Sequence, residues 1–431
     1  MDEEENDFLT GENEPFGPSE ENNDYSIKQE KFGLGDLLST LLDLKTLPHI
    51  ILLMMLSSTL YAFAQIDSLL YFSAIGFISL SFGYAITATA TRWDAIFNLV
   101  RVNEISSDSW IKSLIMRSIR SWSVPIIISS IIALIISIIS SNNDSIKDWV
   151  PFGLASLFLV WSIGQGSSFK SSTYAWISSS TKITDSTARE GTLFGAIIGQ
   201  LIGVVTFSII IGYGYSSGFE GDNNFKWFGF VIISILLQIV LIFLHSGKLR
   251  EITLTRGGAT LANRWGLISQ IFIIWHIASA WRRLIDDPSP ITMILEEFVL
   301  MLLTVVLAIW ALASRNVSKG GKLFTSDNAL FWGLSFGFGY AGSIAMISNI
   351  TNGIGGNNIA TTMAIGHIIT ALTIIILYPI VINKHSRLIS IYADELISES
   401  KEDSEQKDEF SQKKNNEHGE LDIDEIELID G

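Results

Sequence analysis

The chain has 431 residues, no cysteine, 44 acidic against 28 basic side chains and a formal net charge of -16. Charged residues are 17 %, where about 25 % is usual for a soluble domain, and the mean hydropathy is +0.38. Without cysteine, disulfide scaffolds, thiolate metal sites and cysteine catalysis are excluded.

The acid and the apolar residues occupy different places. Residues 1–31 carry 11 acids and 2 bases, and residues 393–431 carry 15 acids and 4 bases. The tails sum to a net of -20 and leave a middle of +4. No basic face remains for nucleic acid, and the tails repel phosphate. Their composition is that of disordered segments. Within the second, Leu421 to Ile429 alternates apolar and acidic residues, the pattern of a docking strand for a cytoplasmic protein partner.

Residues 32–46 follow the first tail. Apolar positions at helical spacing over 34–44, with Pro48 at the join, predict an interfacial amphipathic helix leading into the membrane domain at 47–392. A helix crosses the bilayer with roughly 17–25 apolar residues. Ten such runs are present: 47–64, 69–90, 122–140, 150–166, 192–214, 227–246, 265–281, 291–313, 328–348 and 360–382. They are continuously apolar, not alternating, so the expected fold is an all-α polytopic bundle of about ten transmembrane helices, with the lipid bilayer as its first partner. The runs 150–166 and 265–281 are the weakest, being short and polar in places. Between spans two and three, Trp110, Ile111, Leu114, Ile115 and Ile119 share a helical face flanked by Lys112, Arg117 and Arg120, which predicts a separate surface helix over 110–120.

Lysine and arginine set the orientation. With both tails on one side, the loops there carry 15 bases against 4 on the other. Both termini are therefore expected in the cytoplasm, with the chain as a multi-pass protein of the plasma (cytoplasmic) membrane.

Gly191, Gly195, Gly199 and Gly203 recur every fourth residue at the start of the fifth span and predict close helix packing. Arg189 to Gly195 resembles the loop before that helix in major-facilitator transporters. The GxxxDRxGR signature of that family is missing after the second span, so no family is assigned.

Ionisable residues inside spans are costly and point to function. They are His276 in the seventh span, Glu296 and Glu297 in the eighth, and His367 in the tenth. At 1.5 Å per residue all four lie about 9–10 Å below the outer ends of their helices. Arg282 and Arg283 sit at the mouth of the seven–eight hairpin. Adjacent carboxylates diverge by about 100° on a helix, so Glu296 and Glu297 are expected not to share a partner; which of them faces the bundle is open.

This cluster suits proton or cation handling. It also suits structural pairing of the hairpin, and His with Glu is a donor set for a divalent metal such as zinc. The sequence holds no HExxH, GxSxG, Walker A or CxxC signature. The expectation is a non-enzymatic secondary transporter of a small solute or ion, proton- or cation-coupled, with no cofactor. The alternatives are a membrane scaffold or assembly factor recruiting partners through its tails, and a membrane-embedded metal-dependent enzyme.

Overall fold

The computed structural model describes residues 39, 42–100, 110–141, 143–180, 193–216, 224–253, 258–285, 289–313, 323–325, 328–352 and 359–383. Both acidic tails, residues 32–38, 40 and 41 of the expected interfacial helix at 32–46, the alternating segment 421–429 and Gly191 lie outside these residues.

The chain is all-α. The helices are α1 (Leu47–Ala64), α2 (Asp67–Ala90), α3 (Asp94–Val100), α4 (Trp110–Ser141), α5 (Asp144–Ser180), α6 (Leu193–Tyr215), α7 (Asn224–Leu244), α8 (Ser246–Thr253), α9 (Gly258–Ile285), α10 (Pro290–Ala313) and α11 (Ala329–Asn352). The last is α12 (Ile359–Asn383). Among the described residues, nine are long and apolar enough to cross a membrane: α1, α2, α4, α5, α6, α7, α10, α11 and α12. The tenth expected span is the 28-residue α9. It falls short on apolarity because Gln270, His276, Arg282 and Arg283 lie along it, and all but Arg282 are buried within the bundle.

Local chemistry fixes the helix starts. Before α1, the Lys45 amide donates to Asp43 Oδ1 at 2.9 Å, and proline lies in the first turn, where its missing N–H costs nothing. At α10, Ser289 precedes Pro290, accepts from the Thr292 amide at 3.4 Å and pairs with the Thr292 hydroxyl at 2.7 Å. That cap places Glu296 and Glu297 in the second helical turn.

The separate surface helix expected over 110–120 is not formed. Those residues are the first three turns of α4, which runs unbroken to Ser141 with Pro125 inside it. No glycine or proline interrupts residues 110–124, and extending an existing helix is easier than nucleating a second one. For the same reason α5 extends well beyond 150–166 at both ends.

Helix α11 is the centre of the bundle, with 83 % of its spanning window buried. It packs on α1, α2, α5 and α10. A second group places α9 against α5, α6, α7 and α8. Helix α12 joins the two through small residues. A Cβ on Gly366 would meet the Phe158 ring of α5 at 2.4 Å, and one on Gly166 of α5 would meet Thr373 of α12 at 2.9 Å. The Thr370 hydroxyl donates to the Ser162 carbonyl at 3.1 Å in the same seam. Only glycine allows this approach, and the approach brings His367 into the interior.

Candidate functional site

Four helices converge on Glu297. Met293, Glu297, Leu300 and Met301 form the buried face of α10, while Leu295 and Val299 point outward. On α9, His276 and Arg283 are seven residues apart and therefore share a face. His367 is on the inner face of α12 beside Met363 and Thr370, and Tyr340 is on α11.

Every oxygen of Glu297 is engaged. Oε1 accepts from Arg283 Nη2 at 2.9 Å and from His367 Nε2 at 3.1 Å. Oε2 accepts from the Tyr340 hydroxyl at 2.5 Å. Arg283 is held in place by its own helix, donating from Nη1 to the Ser279 carbonyl at 3.0 Å. His367 and His276 meet through their Nδ1 atoms at 2.9 Å. Among the described residues His276 Nε2 is buried without a hydrogen-bond partner.

Glu296 lies at the rim. Its Oε1 accepts from Arg282 Nη1, and Arg283 Nη2 reaches its Oε2 at 3.2 Å. The Arg282 guanidinium also lies over the Tyr215 ring of α6, 5.2 Å from its centre. The side chain of Glu296 is 26 % exposed and that of Glu297 1 %. The structure thus settles which carboxylate faces the bundle. It also corrects one expectation: the two neighbours do share a partner. One nitrogen at the end of the long Arg283 side chain, Nη2, lies within reach of both carboxylates.

The cluster therefore brings together all six of His276, Arg282, Arg283, Glu296, Glu297 and His367. Tyr340 of α11 joins them through Glu297 Oε2. Ser57 and Tyr61 of α1 were missed. With Glu297, Tyr340 and Ile294 they line a narrow cleft of about 10 Å³, the room of about one water molecule. A hydroxyl at helical spacing on an apolar span carries no signal that separates it from a helix-packing serine, so sequence alone had no means to find it.

The glycine stripe of the fifth span has a smaller part. The buried face of α6 is Ala196, Gln200, Val204, Ser208 and Gly212, one residue along from the stripe. Gly195 and Gly199 are exposed. A Cβ on Gly203 would meet Leu267 of α9 at 2.2 Å, whereas one on Gly199 would meet nothing within 4 Å.

Charge pairing explains half of this cluster. Two guanidinium groups face two carboxylates, so the set is balanced without either histidine. The partners also offset a desolvation cost of several kcal/mol per buried ion. The imidazoles are surplus to that balance. Among the described residues no group of three or more His, Cys, Asp or Glu has the arrangement to hold a metal ion. His276 and His367 instead spend their Nδ1 positions on each other.

No protein-family model matches the chain, and neither a curated protein nor a solved structure matches it.

Proposed function

We propose that this protein is a secondary transporter that couples solute movement to a proton carried by the His276–His367–Glu297 chain. The observation that carries the reading is the row of three hydrogen-bonded titratable groups buried beside a narrow, largely apolar cleft that Ser57, Tyr61 and Tyr340 border. A carboxylate only accepts, so His367 Nε2–H is the donor to Glu297. Neutral His367 then presents a bare Nδ1, and His276 Nδ1–H donates to it. His276 Nε2 is left as a lone pair with a buried position and no partner among the described residues.

A proton arriving there has a defined route. It bonds to His276 Nε2, the His276 Nδ1 proton passes to His367 Nδ1, and the His367 Nε2 proton passes to Glu297. Both imidazoles end neutral with their tautomers exchanged, and the carboxylate becomes a carboxylic acid. Glu297 then holds its proton beside Tyr340 and the cleft lined by Ser57 and Tyr61. Protonation releases Arg283 from one of its two anions, which gives the cluster two states of different charge for a transport cycle to use. The orientation supported by the loop charges places this cluster in the outer half of the bilayer, with both termini cytoplasmic.

The scaffold reading is favoured by one fact: Arg283 bridging both glutamates is also a good clasp for the α9–α10 hairpin. The two readings part in proteoliposomes with a trapped pH dye, challenged with pools of small solutes. Coupled transport gives solute-dependent internal acidification that Glu297→Gln abolishes and deletion of residues 393–431 leaves intact. Function lost on tail deletion but retained in Glu297→Gln would establish the scaffold instead.

A further inference from the structure

The Glu297 cluster lies near one end of the bundle, and a second buried titratable group lies near the other. His49 is fully buried at the start of α1. Its Nδ1 pairs with the Tyr84 hydroxyl of α2 at 3.1 Å, and its ring packs edge-on against Phe331 of α11, 5.4 Å between centres. Of these packed groups Tyr84 is titratable and Phe331 is not. His49 Nε2 has no hydrogen-bond partner among the described residues. Burying an unsatisfied ring nitrogen is costly, and an apolar side chain of similar size would avoid that cost.

One face of α1 connects the two ends. His49, Leu53, Ser57 and Tyr61 are four residues apart and share that face. Ser57 and Tyr61 line the Glu297 cleft, and the Tyr61 hydroxyl pairs with Ser348 of α11 at 2.9 Å. Along this face His49 is about 12 Å from Ser57. Helix α11 runs parallel beside it, with Phe331 at the His49 level, Gly337 at the Leu53 level and Tyr340 at the cleft.

Between the two polar ends is an apolar layer. Leu53, Val305 of α10 and Phe338 of α11 are each fully buried. A Cβ on Gly337 would meet Val305 at 2.7 Å and Leu53 at 3.1 Å, so the missing side chain lets the two flanking helices close over α11. The Phe338 ring lies 5.3 Å from that of Tyr84. A constriction of this kind blocks water and protons by dewetting.

We propose that His49, paired with Tyr84, is a second proton-accepting group on the opposite side of the membrane from Glu297, separated from it by a gate of Leu53, Val305 and Phe338. The proposal rests on the proton-handling reading of Glu297. It assigns the other terminus of the route and the barrier that keeps the route closed in this conformation.

The test needs no knowledge of the solute. The purified full-length chain is placed in liposomes with a trapped pH dye, and a potassium–valinomycin potential drives protons. Leu53→Ser puts a hydroxyl one helical turn from Ser57 and thins the barrier. We expect it to raise proton leak at least fivefold over the parent chain. Leu134→Ala, on an exposed position of α4, controls for general disruption and leaves the leak at the parent level. His49→Phe keeps a ring of similar size; combined with Leu53→Ser it returns the leak to baseline, and so does Glu297→Gln.

Absence of a leak in folded Leu53→Ser, or a leak indifferent to His49→Phe, overturns the inference. If Glu297→Gln still abolishes the leak in the latter case, the Glu297 reading stands by itself. A leak abolished by His49→Phe but not by Glu297→Gln removes Glu297 from the route and so defeats both readings of it, while leaving His49 as a proton group.

Discussion

Glu296 and Glu297 differ by one position in the chain and by everything that matters electrostatically. Glu297 is sealed among Arg283, His367 and Tyr340, and removing it leaves Arg283 buried with only the rim carboxylate. Glu297→Ala is therefore expected to destabilise the protein by about 3–5 kcal/mol, the usual cost of stripping one partner from a buried ion pair. The same change at Glu296, partly exposed and paired with Arg282, is expected to cost at most about 1 kcal/mol. Thermal unfolding in detergent, followed by the fluorescence of the 12 tryptophans, measures both; equal losses would mean the two carboxylates are not differently buried. Tyr340→Phe removes one hydrogen bond to a charged group, about 1.5–3 kcal/mol. It is expected to lower stability by an amount in that range in the same assay, and by less in the Glu297→Gln background, where the hydroxyl can donate only to a neutral amide oxygen.

Between elements, packing separates two kinds of glycine that look alike in the sequence. A Cβ on Gly342 of α11 would lie 2.7 Å from the Phe77 Cβ of α2. Gly342→Leu has no room there and is expected to cost about 1–3 kcal/mol. Gly199 of α6 has open space, and Gly199→Ala is expected to change stability by no more than about 0.5 kcal/mol. Melting temperatures of the two variants decide the matter, and a Gly342→Leu protein as stable as its parent would show that α2 and α11 are not in close contact. The fourfold spacing in the fifth span was legible; the direction in which it faces was not. A helix exposes the same periodicity to lipid and to protein, because lipid tails and apolar side chains are equally apolar.

For the whole molecule, the chain's lack of cysteine makes its topology directly testable. Single cysteines in an otherwise thiol-free protein report side exactly once each. With both termini in the cytoplasm, Ser145→Cys reacts with an impermeant maleimide added to intact cells, and Lys248→Cys reacts only after permeabilisation. Both positions are exposed, so the reverse pattern would invert the orientation read from the loop charges.

Span positions were legible because each helix must satisfy its own backbone in lipid and so needs a continuous apolar run, a property of local sequence alone. The charge split between tails and body was legible for the same reason: it is a count. Helix α9 was one of the two weakest runs because its polar residues are spent inward, on His367, Glu297 and Gln200, and hydropathy counts them against the span. Depth arithmetic put His276, Glu296, Glu297 and His367 at one level, and that much is set by helical rise. Their contact required helix rotation and the docking of α12 through Gly166 and Gly366, which depend on shape complementarity between segments some 200 residues apart in the chain. The sequence by itself determined which segments are long and apolar enough to span a bilayer and which few groups are ionisable within them. Only the tertiary structure decided that Glu297 faces inward, that Arg283 spans both carboxylates and that two histidines continue the chain, because side-chain direction is set by the neighbours a helix meets.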